Sequence, residues 1–327
     1  MEQSSAGYPL GKSSNLDLDN DMIFGRVRRV LRRYAELPAK ITRLQEAVGR
    51  IEQRLVAKND GELDQREFRV FSQWGEDGII QHLIRNVPIE RRMFVEFGVE
   101  NYVESNTRFL LTNNYWSGLV IDGSASNIDY IKQDPIYWAC NLKAEQSFIT
   151  RENINDILED AGIEGDIGLL SIDIDGNDYW VWEAIRLISP RIVICEYNSH
   201  FGPRARVSTP YDPSFVRENA HFSKVYYGAS IAALHALAES RNYSLVASNE
   251  AGNNVFFVRN DVRGGIPVLS CAAAYRRALF REYHDEKGTL TFDDFETRLK
   301  NIGHLPVYDF VSKEIRRIAD VVDTPTR

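Results

Sequence analysis

Two short apolar runs, each ending on a carboxylate, constrain this chain most. Met93-Phe-Val-Glu-Phe-Gly-Val99 reads as a buried strand that closes on Glu96, Phe97 and Gly98. Gly118-Leu-Val-Ile-Asp122 reads as a second, and Glu104-Ser-Asn106 between them starts a helix. Strand, helix and strand make the first βαβ unit of a doubly wound sheet, whose ligands bind at the carboxyl ends of the strands. Glu96, Gly98 and Asp122 belong at that edge. A carboxylate at the tip of the second strand is placed to accept hydrogen bonds from ribose hydroxyls, so the unit points to a ligand that contains a nucleoside.

Strand and helix patterns continue to alternate from about 66 to 260. Strands are expected at 93–99, 118–122, 137–142, 166–174, 191–198, 243–248 and 254–259. Helices are expected at 75–86, 104–114, 125–133, 150–161, 178–187 and 229–241. The runs 167–174 and 192–195 are almost continuously apolar, as in parallel strands covered on both faces. The last two strands flank Asn249-Glu-Ala-Gly-Asn253, a hairpin loop, so the sheet should finish with an antiparallel strand. The expected fold is α/β: a Rossmann-like, doubly wound, seven-stranded sheet with a terminal antiparallel strand and an N-terminal helical extension.

Residues 1–20 are polar and read as a disordered tail. Residues 21–62 read as a helical extension. Ile23, Val27, Val30, Leu31 and Tyr34 recur at helical steps opposite Arg26, Arg28, Arg29, Arg32 and Arg33. Pro38 is expected to interrupt that helix. Ile41, Leu44, Val48, Ile51 and Leu55 then form a heptad-like seam of about two repeats. Residues 261–327 read as a mainly helical C-terminal extension.

A net charge of −8 argues against nucleic acid as a partner, which needs a basic face. Cys140, Cys195 and Cys271 have no paired spacing and read as buried free thiols in a reducing compartment, with Cys140 and Cys195 in strand-like runs. No apolar run approaches the roughly 20 residues of a membrane span, and the N-terminus lacks a signal-type apolar core. The expected compartment is the cytoplasm. Two contacts stay open there: the basic helix 21–34 resting on the inner face of an anionic membrane, and a homo-oligomer joined through 41–58.

Three clusters carry chemistry. The first loop, Glu96-Phe-Gly-Val-Glu-Asn101, has one glycine instead of G-x-G-x-x-G, and no Walker A sequence occurs. Pyrophosphate is therefore disfavoured, and S-adenosylmethionine is the common nucleoside ligand that remains. Glu96 would meet its cationic amino end, and Gly98, Asn101, Asp122, Gly123 and Ser124 would line its site. The second cluster is Ser171-Ile-Asp-Ile-Asp-Gly-Asn-Asp-Tyr179. Strand alternation puts Asp173 and Asp175 on one face, where a hard cation such as Mg²⁺ would relieve their repulsion. A calcium loop of the EF-hand type is disfavoured by Ala184 where its closing glutamate would stand. The third cluster, Cys195-Glu-Tyr-Asn-Ser-His200, brings Glu196 and Asn198 to one face with His200 beside them as a base near neutrality.

Two segments are softer signals. Phe71-Ser-Gln-Trp-Gly-Glu-Asp77 either folds over a ligand or caps a helix through Ser72 or Asp77. The long loop over 208–230 is rich in aromatic and small polar residues and suits a sugar-like acceptor.

Over about 70–260 these residues resemble the class I S-adenosylmethionine-dependent methyltransferases. More closely they look like the FkbM-type and macrocin O-methyltransferase-like groups found in antibiotic and surface-glycan gene sets. Leu170-Ser-Ile-Asp-Ile-Asp-Gly-Asn-Asp-Tyr179 is similar to the Asp-x-Asp-x-Tyr segment of metal-dependent O-methyltransferases. The resemblance implies a methyltransferase domain over 66–260, Asp173, Glu196 and Asn198 as Mg²⁺ ligands, Asp173 also beside the cofactor, and Asp175 or His200 as the base. It departs from the family in its single loop glycine and in Glu196-Tyr-Asn198 where an adjacent acidic or amide pair is usual. The implied activity is O-methylation of a sugar or glycoconjugate hydroxyl on a small-molecule or glycan acceptor. Two rivals stay open. One is a metal-dependent glycosyltransferase that uses Asp173-x-Asp175, against which the lack of basic residues beside that motif weighs. The other is a non-catalytic assembly subunit of the same fold.

Overall fold

Alternation along each central strand decides how the sheet is covered. Phe94, Val120, Leu169, Ile192 and Ile194 pack into one buried cluster, whereas Val95, Leu119, Leu170, Val193 and Cys195 pack into another. Successive side chains of a strand point to opposite faces, so a run that is apolar at every position needs helices on both sides.

A computed structural model describes residues 15–56, 66–278 and 280–323. In chain order the elements are α1 (Asn15–Val56), α2 (Glu76–Asn86), β1 (Met93–Phe97), α3 (Arg108–Asn114), β2 (Ser117–Asp122), α4 (Ala125–Gln133), α5 (Pro135–Ala139), β3 (Leu142–Gln146), α6 (Ile154–Asp160), β4 (Gly165–Ile172), α7 (Asp178–Ala184) and β5 (Ile188–Glu196). There follow β6 (Val207–Ser208), α8 (Arg217–Ala220), α9 (Ile231–Ser240), β7 (Tyr243–Ser248), β8 (Asn254–Arg259), α10 (Cys271–Ala274), α11 (Phe295–Ile302), β9 (Pro306–Asp309), β10 (Glu314–Arg317) and α12 (Ile318–Val321). The chain divides into two compact units at Gly49.

The main sheet has seven strands in the order β3-β2-β1-β4-β5-β8-β7. The first five are parallel, and β8 runs antiparallel between β5 and β7. This is the expected doubly wound sheet. The antiparallel strand is last in sequence but lies one place in from the edge. Strand order reverses between β1 and β4, which makes their carboxyl ends the switch point where such sheets hold ligands.

Four expectations change. The third strand was expected at 137–142, but Asp134 caps Ile136 N and Pro135 takes the first helical position, so 135–139 form α5. The strand follows at 142–146 as a half-exposed edge, and its alternating burial carries no apolar run to mark it. Cys140 accordingly ends a helix, and it and Cys271 are only partly buried, whereas Cys195 is fully buried. The segment 261–327 supplies two strands as well as short helices, and β9 with β10 pairs with β6 in a second, three-stranded sheet.

The fourth change is at Pro38, which lies inside α1 without ending it. Proline removes one backbone donor and leaves the carbonyl one turn earlier, that of Tyr34, unpaired. Tyr34 is 67% exposed, so water can serve that carbonyl. Of the tail expected over 1–20, residues 1–14 lie outside the described residues, as do 57–62 of the extension. Asn15–Asn20 fall within α1. Among the described residues no helix is long and apolar enough to cross a membrane.

Candidate functional site

The tips of β1, β2 and β4 are tied together at Gly98. Its N–H donates to Ile121 O at 2.9 Å, and its φ of +69° is one that glycine adopts without strain. A Cβ at that position would lie 1.6 Å from the carbonyl oxygen of Asp173. Only a bare backbone lets β1 and β4 turn away from each other at so short a range. The cleft that opens there has a volume of about 400 Å³.

Several predicted residues reach this cleft. Glu96, Gly98, Asp122, Gly123, Asp173, Asp175 and Glu196 all line it. Their states differ. Glu96 is buried and accepts from Asn106 N at 2.8 Å, Thr107 N at 3.2 Å and the Thr107 hydroxyl, so both oxygens bind the loop that starts α3. Burial pushes its pKa up to about 7 in spite of those donors. Asp122 accepts from Ser124 N and Asn127 Nδ2 on one oxygen and from Glu100 N on the other, at 2.8–2.9 Å. A carboxylate has about four acceptor positions, so Asp122 retains capacity for a ligand.

Two cofactor candidates are not brought to the cleft. Asn101 does not line it, and its Oδ1 accepts from Val103 N within the turn. Ser124 caps α4 through Asn127 N. Short polar side chains beside a helix start are drawn to such backbone bonds.

Acidic groups crowd the far wall. Carboxylate oxygens of Asp173, Asp178 and Glu196 lie within 4.8 Å of one another. Asp178 is spent on the turn before α7, accepting from Ile174 N and Gly176 N at 2.9 Å each, and burial raises its pKa to about 6. Asp173 and Glu196 are different. Among the described residues neither side chain meets a hydrogen-bond donor; Glu196 Oε2 is wholly buried, whereas Asp173 is half-buried. Burial first, and then repulsion among Asp173, Asp175 and Glu196, holds the Asp173 and Glu196 pKa values well above the carboxylate range. A buried carboxylate without a donor is costly unless a proton or a cation neutralises it. Among the described residues, this is where the donor set fits a hard divalent ion.

Asp175 does not share a face with Asp173. Strand β4 stops at Ile172, and Asp175 sits in the turn at φ +56° with its carboxylate 2.5 Å from Arg217 Nη1. Asn198 is fully buried and faces away from the cluster. Its Nδ2 donates to Val225 O and Tyr227 O, and its Oδ1 accepts from His200 N. It ties a loop down and ligates nothing. His200 is also buried, with Nδ1 3.0 Å from Asn198 Oδ1 and its ring stacked on Phe295 at 4.9 Å. Burial lowers its pKa to about 3, and it does not line the cleft, so it is no base for chemistry there. The reason is common to both: β5 ends at Glu196, and strand alternation does not carry into the turn after it.

Arg217 is the residue that sequence reasoning missed. It lies 42 positions from Asp175, lines the cleft, pairs with Asp175 and Glu282, and stacks over Tyr227 at 3.7 Å. No spacing rule could have linked it to the acidic motif. The one available signal was the unusual length of the 208–230 loop, which also brings Phe215 to the cleft. The 71–77 segment divides between its two readings. Asp77 accepts from Val70 N, Phe71 N and Ser72 N at 2.8–2.9 Å and ties the start of α2, while Gln73 lines the cleft.

No family model matches the chain, and no curated protein does. Solved structures with a similar sheet include the SAH-bound N-terminal domain of EvdMO1, at 12% identity over 64% of this chain and 95% of that one, with a TM-score of 0.38. An S-adenosylmethionine-dependent methyltransferase from Clostridium acetobutylicum aligns at 9% identity over 56% and 90%, with a TM-score of 0.36. An O-methyltransferase from Bacillus cereus in complex with SAH aligns at 14% over 51% and 74%, with a TM-score of 0.33. Scores of this size say nothing of activity or ligand.

Gly98→Ala should cost several kcal/mol, since a Cβ there meets backbone and not a movable side chain. Thermal melts of the variant should show a large drop; an unchanged melting temperature would contradict the close approach. The pH dependence also has a definite sign. Glu96, Asp77 and Asp178 hold protons more tightly folded than unfolded, with pKa values near 7, 6 and 6. Their contribution is therefore present below about pH 4 and lost as pH rises through 6–7. The melting temperature should fall from pH 5 to pH 8, and Mg²⁺ should restore more of it at pH 8 than at pH 5.5. A Mg²⁺ effect that shrinks as pH rises would remove the cation from this cluster.

Proposed function

We propose that this chain is an S-adenosylmethionine-dependent O-methyltransferase, acting on a sugar or glycoconjugate hydroxyl with a divalent cation held by Asp173 and Glu196. One observation carries the reading: seven carboxylates line the cleft at the switch point, against a single guanidinium, that of Arg217. Such a wall repels phosphates and favours a nucleoside whose tail bears positive charge. S-adenosylmethionine has that form, and its sulfonium supplies an electrophilic methyl group.

The chain's own residues supply the rest. Asp122 would accept from the ribose hydroxyls with the acceptor capacity it has left. Phe148, half exposed beside Gly123, offers an apolar face to the base. Asp173 and Glu196 would hold the cation, which would supply Lewis acidity toward an acceptor hydroxyl. Of the two base candidates Asp175 remains, partly exposed at the cleft and oriented by Arg217. Phe215 enters from the 208–230 loop and lends that side an aromatic wall suited to a sugar ring. Holding two reactants in line accounts for much of the rate gain in such transfers.

The glycosyltransferase reading gains one point from the structure, because Arg217 stands beside Asp175 where the sequence shows no basic neighbour. That guanidinium is already engaged by Asp175, Glu282 and the Lys224 carbonyl, so it has little left for a pyrophosphate.

Calorimetry on the full chain tests the proposal. S-adenosylhomocysteine should bind and a nucleoside diphosphate should not; the reverse pattern would overturn the reading. Asp122→Ala should weaken the former roughly 5- to 150-fold, the order of a lost buried hydrogen bond. Glu196→Gln should abolish stimulation by Mg²⁺ in a methyl-transfer assay while leaving cofactor affinity within a few-fold. Turnover that chelators leave unchanged would take the cation out of the mechanism.

A further inference from the structure

Helix α1 carries an apolar seam that two segments of sequence, read apart, do not reveal. Because the helix runs through Pro38, the apolar residues before and after it fall into one phase. Val27, Val30, Tyr34, Leu37, Ile41, Leu44, Val48, Ile51 and Leu55 follow each other at alternating steps of three and four. Every one of them is 44–67% exposed. The seam spans four heptads, about 42 Å at 1.5 Å per residue, and three to four heptads are enough to sustain a coiled coil.

The last two turns show which face the helix keeps for itself. Val56 packs against the cluster of Phe68, Val70, Phe71 and Phe109, and Gln53 bonds Gln81. Gly49 lies so close to Val70 that a Cβ would approach its Cγ2 to 2.4 Å. These contacts, all within the unit that begins at Gly49, bury one side of the helix's last two turns, while Ile51 and Leu55 on the other side are left to water.

We infer that the seam is covered by the same seam of a second copy of this chain, in a parallel two-stranded coiled coil. Three features select that occupant. With Val27, Tyr34, Ile41, Val48 and Leu55 at the a positions and Val30, Leu37, Leu44 and Ile51 at d, three of the five a residues are β-branched, and the two middle heptads pair Ile41 or Tyr34 at a with leucine at d, while Val30 and Ile51 occupy the outer d positions. That distribution favours two parallel strands. The flanking charges agree. In a parallel pair each g residue faces the e residue of the next heptad, giving Arg33 with Pro38, Lys40 with Gln45 and Ala47 with Glu52, none of them like-charged. An antiparallel pair would set g against g, where Arg33, Lys40 and Arg54 stand, cation against cation. Finally, apart from Leu31 the exposed apolar stripe keeps to the a and d positions, and beyond residue 35 Glu36, Glu46 and Glu52 interrupt the basic flanks. An anionic bilayer would select a wide apolar face and a uniformly basic rim.

Sedimentation velocity on the full chain at micromolar concentration should give a dimer. Leu37→Asp combined with Leu44→Asp should give a monomer that binds S-adenosylhomocysteine or melts as the parent does. Ile41→Cys should form a disulfide-linked dimer under mild oxidation, since an a residue meets its own copy only when the helices are parallel, and the parent with its three cysteines is the control. A monomeric parent, an Asp variant that keeps its dimer, or a Cys variant that stays unlinked would each overturn the inference. So would a monomeric parent that floats with phosphatidylserine vesicles through this helix.

Discussion

The cleft depends on one backbone contact. Gly98 lies against the carbonyl of Asp173, at a distance no side chain allows, and from that contact the tips of β1 and β4 diverge. If those tips stood farther apart, Asp173, Glu196 and Asp122 would be solvated strand ends. Brought together, they form an acidic wall around a cleft of about 400 Å³. The geometry is thus set by a residue that contributes no chemistry of its own.

The carboxylates around the sheet edge, all buried except the half-buried Asp173, fall into two classes, and the division separates scaffold from site. Glu96, Asp77 and Asp178 each accept hydrogen bonds from backbone N–H groups and fix loops around the sheet edge. Asp122 does the same at the tip of β2 with acceptor capacity to spare. Asp173 and Glu196 accept none, and burial drives both toward the protonated form. An arrangement of that kind costs stability in the absence of a neutralising partner. It is therefore the part of the molecule whose form asks for a ligand. Arg217, at the edge of the cluster, pairs directly with Asp175 and Glu282; its charge offsets only part of the burial and repulsion that raise the Asp173 and Glu196 pKa values.

Pro38 shows the same logic in the extension. Water at the orphaned Tyr34 carbonyl offsets part of the cost of a proline in a helix interior; the helix continues, and the two apolar runs become one seam. The seam and the cleft draw on different residues.

Periodicity and strand-end chemistry determined the doubly wound sheet, its four central parallel strands β2, β1, β4 and β5, the late hairpin, and the gathering of Glu96, Asp122, Asp173 and Glu196 at one edge. Those features are legible because a strand buried on both faces must be apolar throughout and its first polar residue marks its end. The edge strand β3 was not legible, since half-exposed alternation on five residues resembles a loop. Only the tertiary structure decided the fates of Asn198, His200, Asp175 and Arg217. Beyond the last strand residue the chain turns, and direction there is set by which backbone groups need partners. Asn198 and His200 were drawn into the core to satisfy a loop, and Arg217 was brought from 42 residues away to a carboxylate that sequence spacing could not link to it.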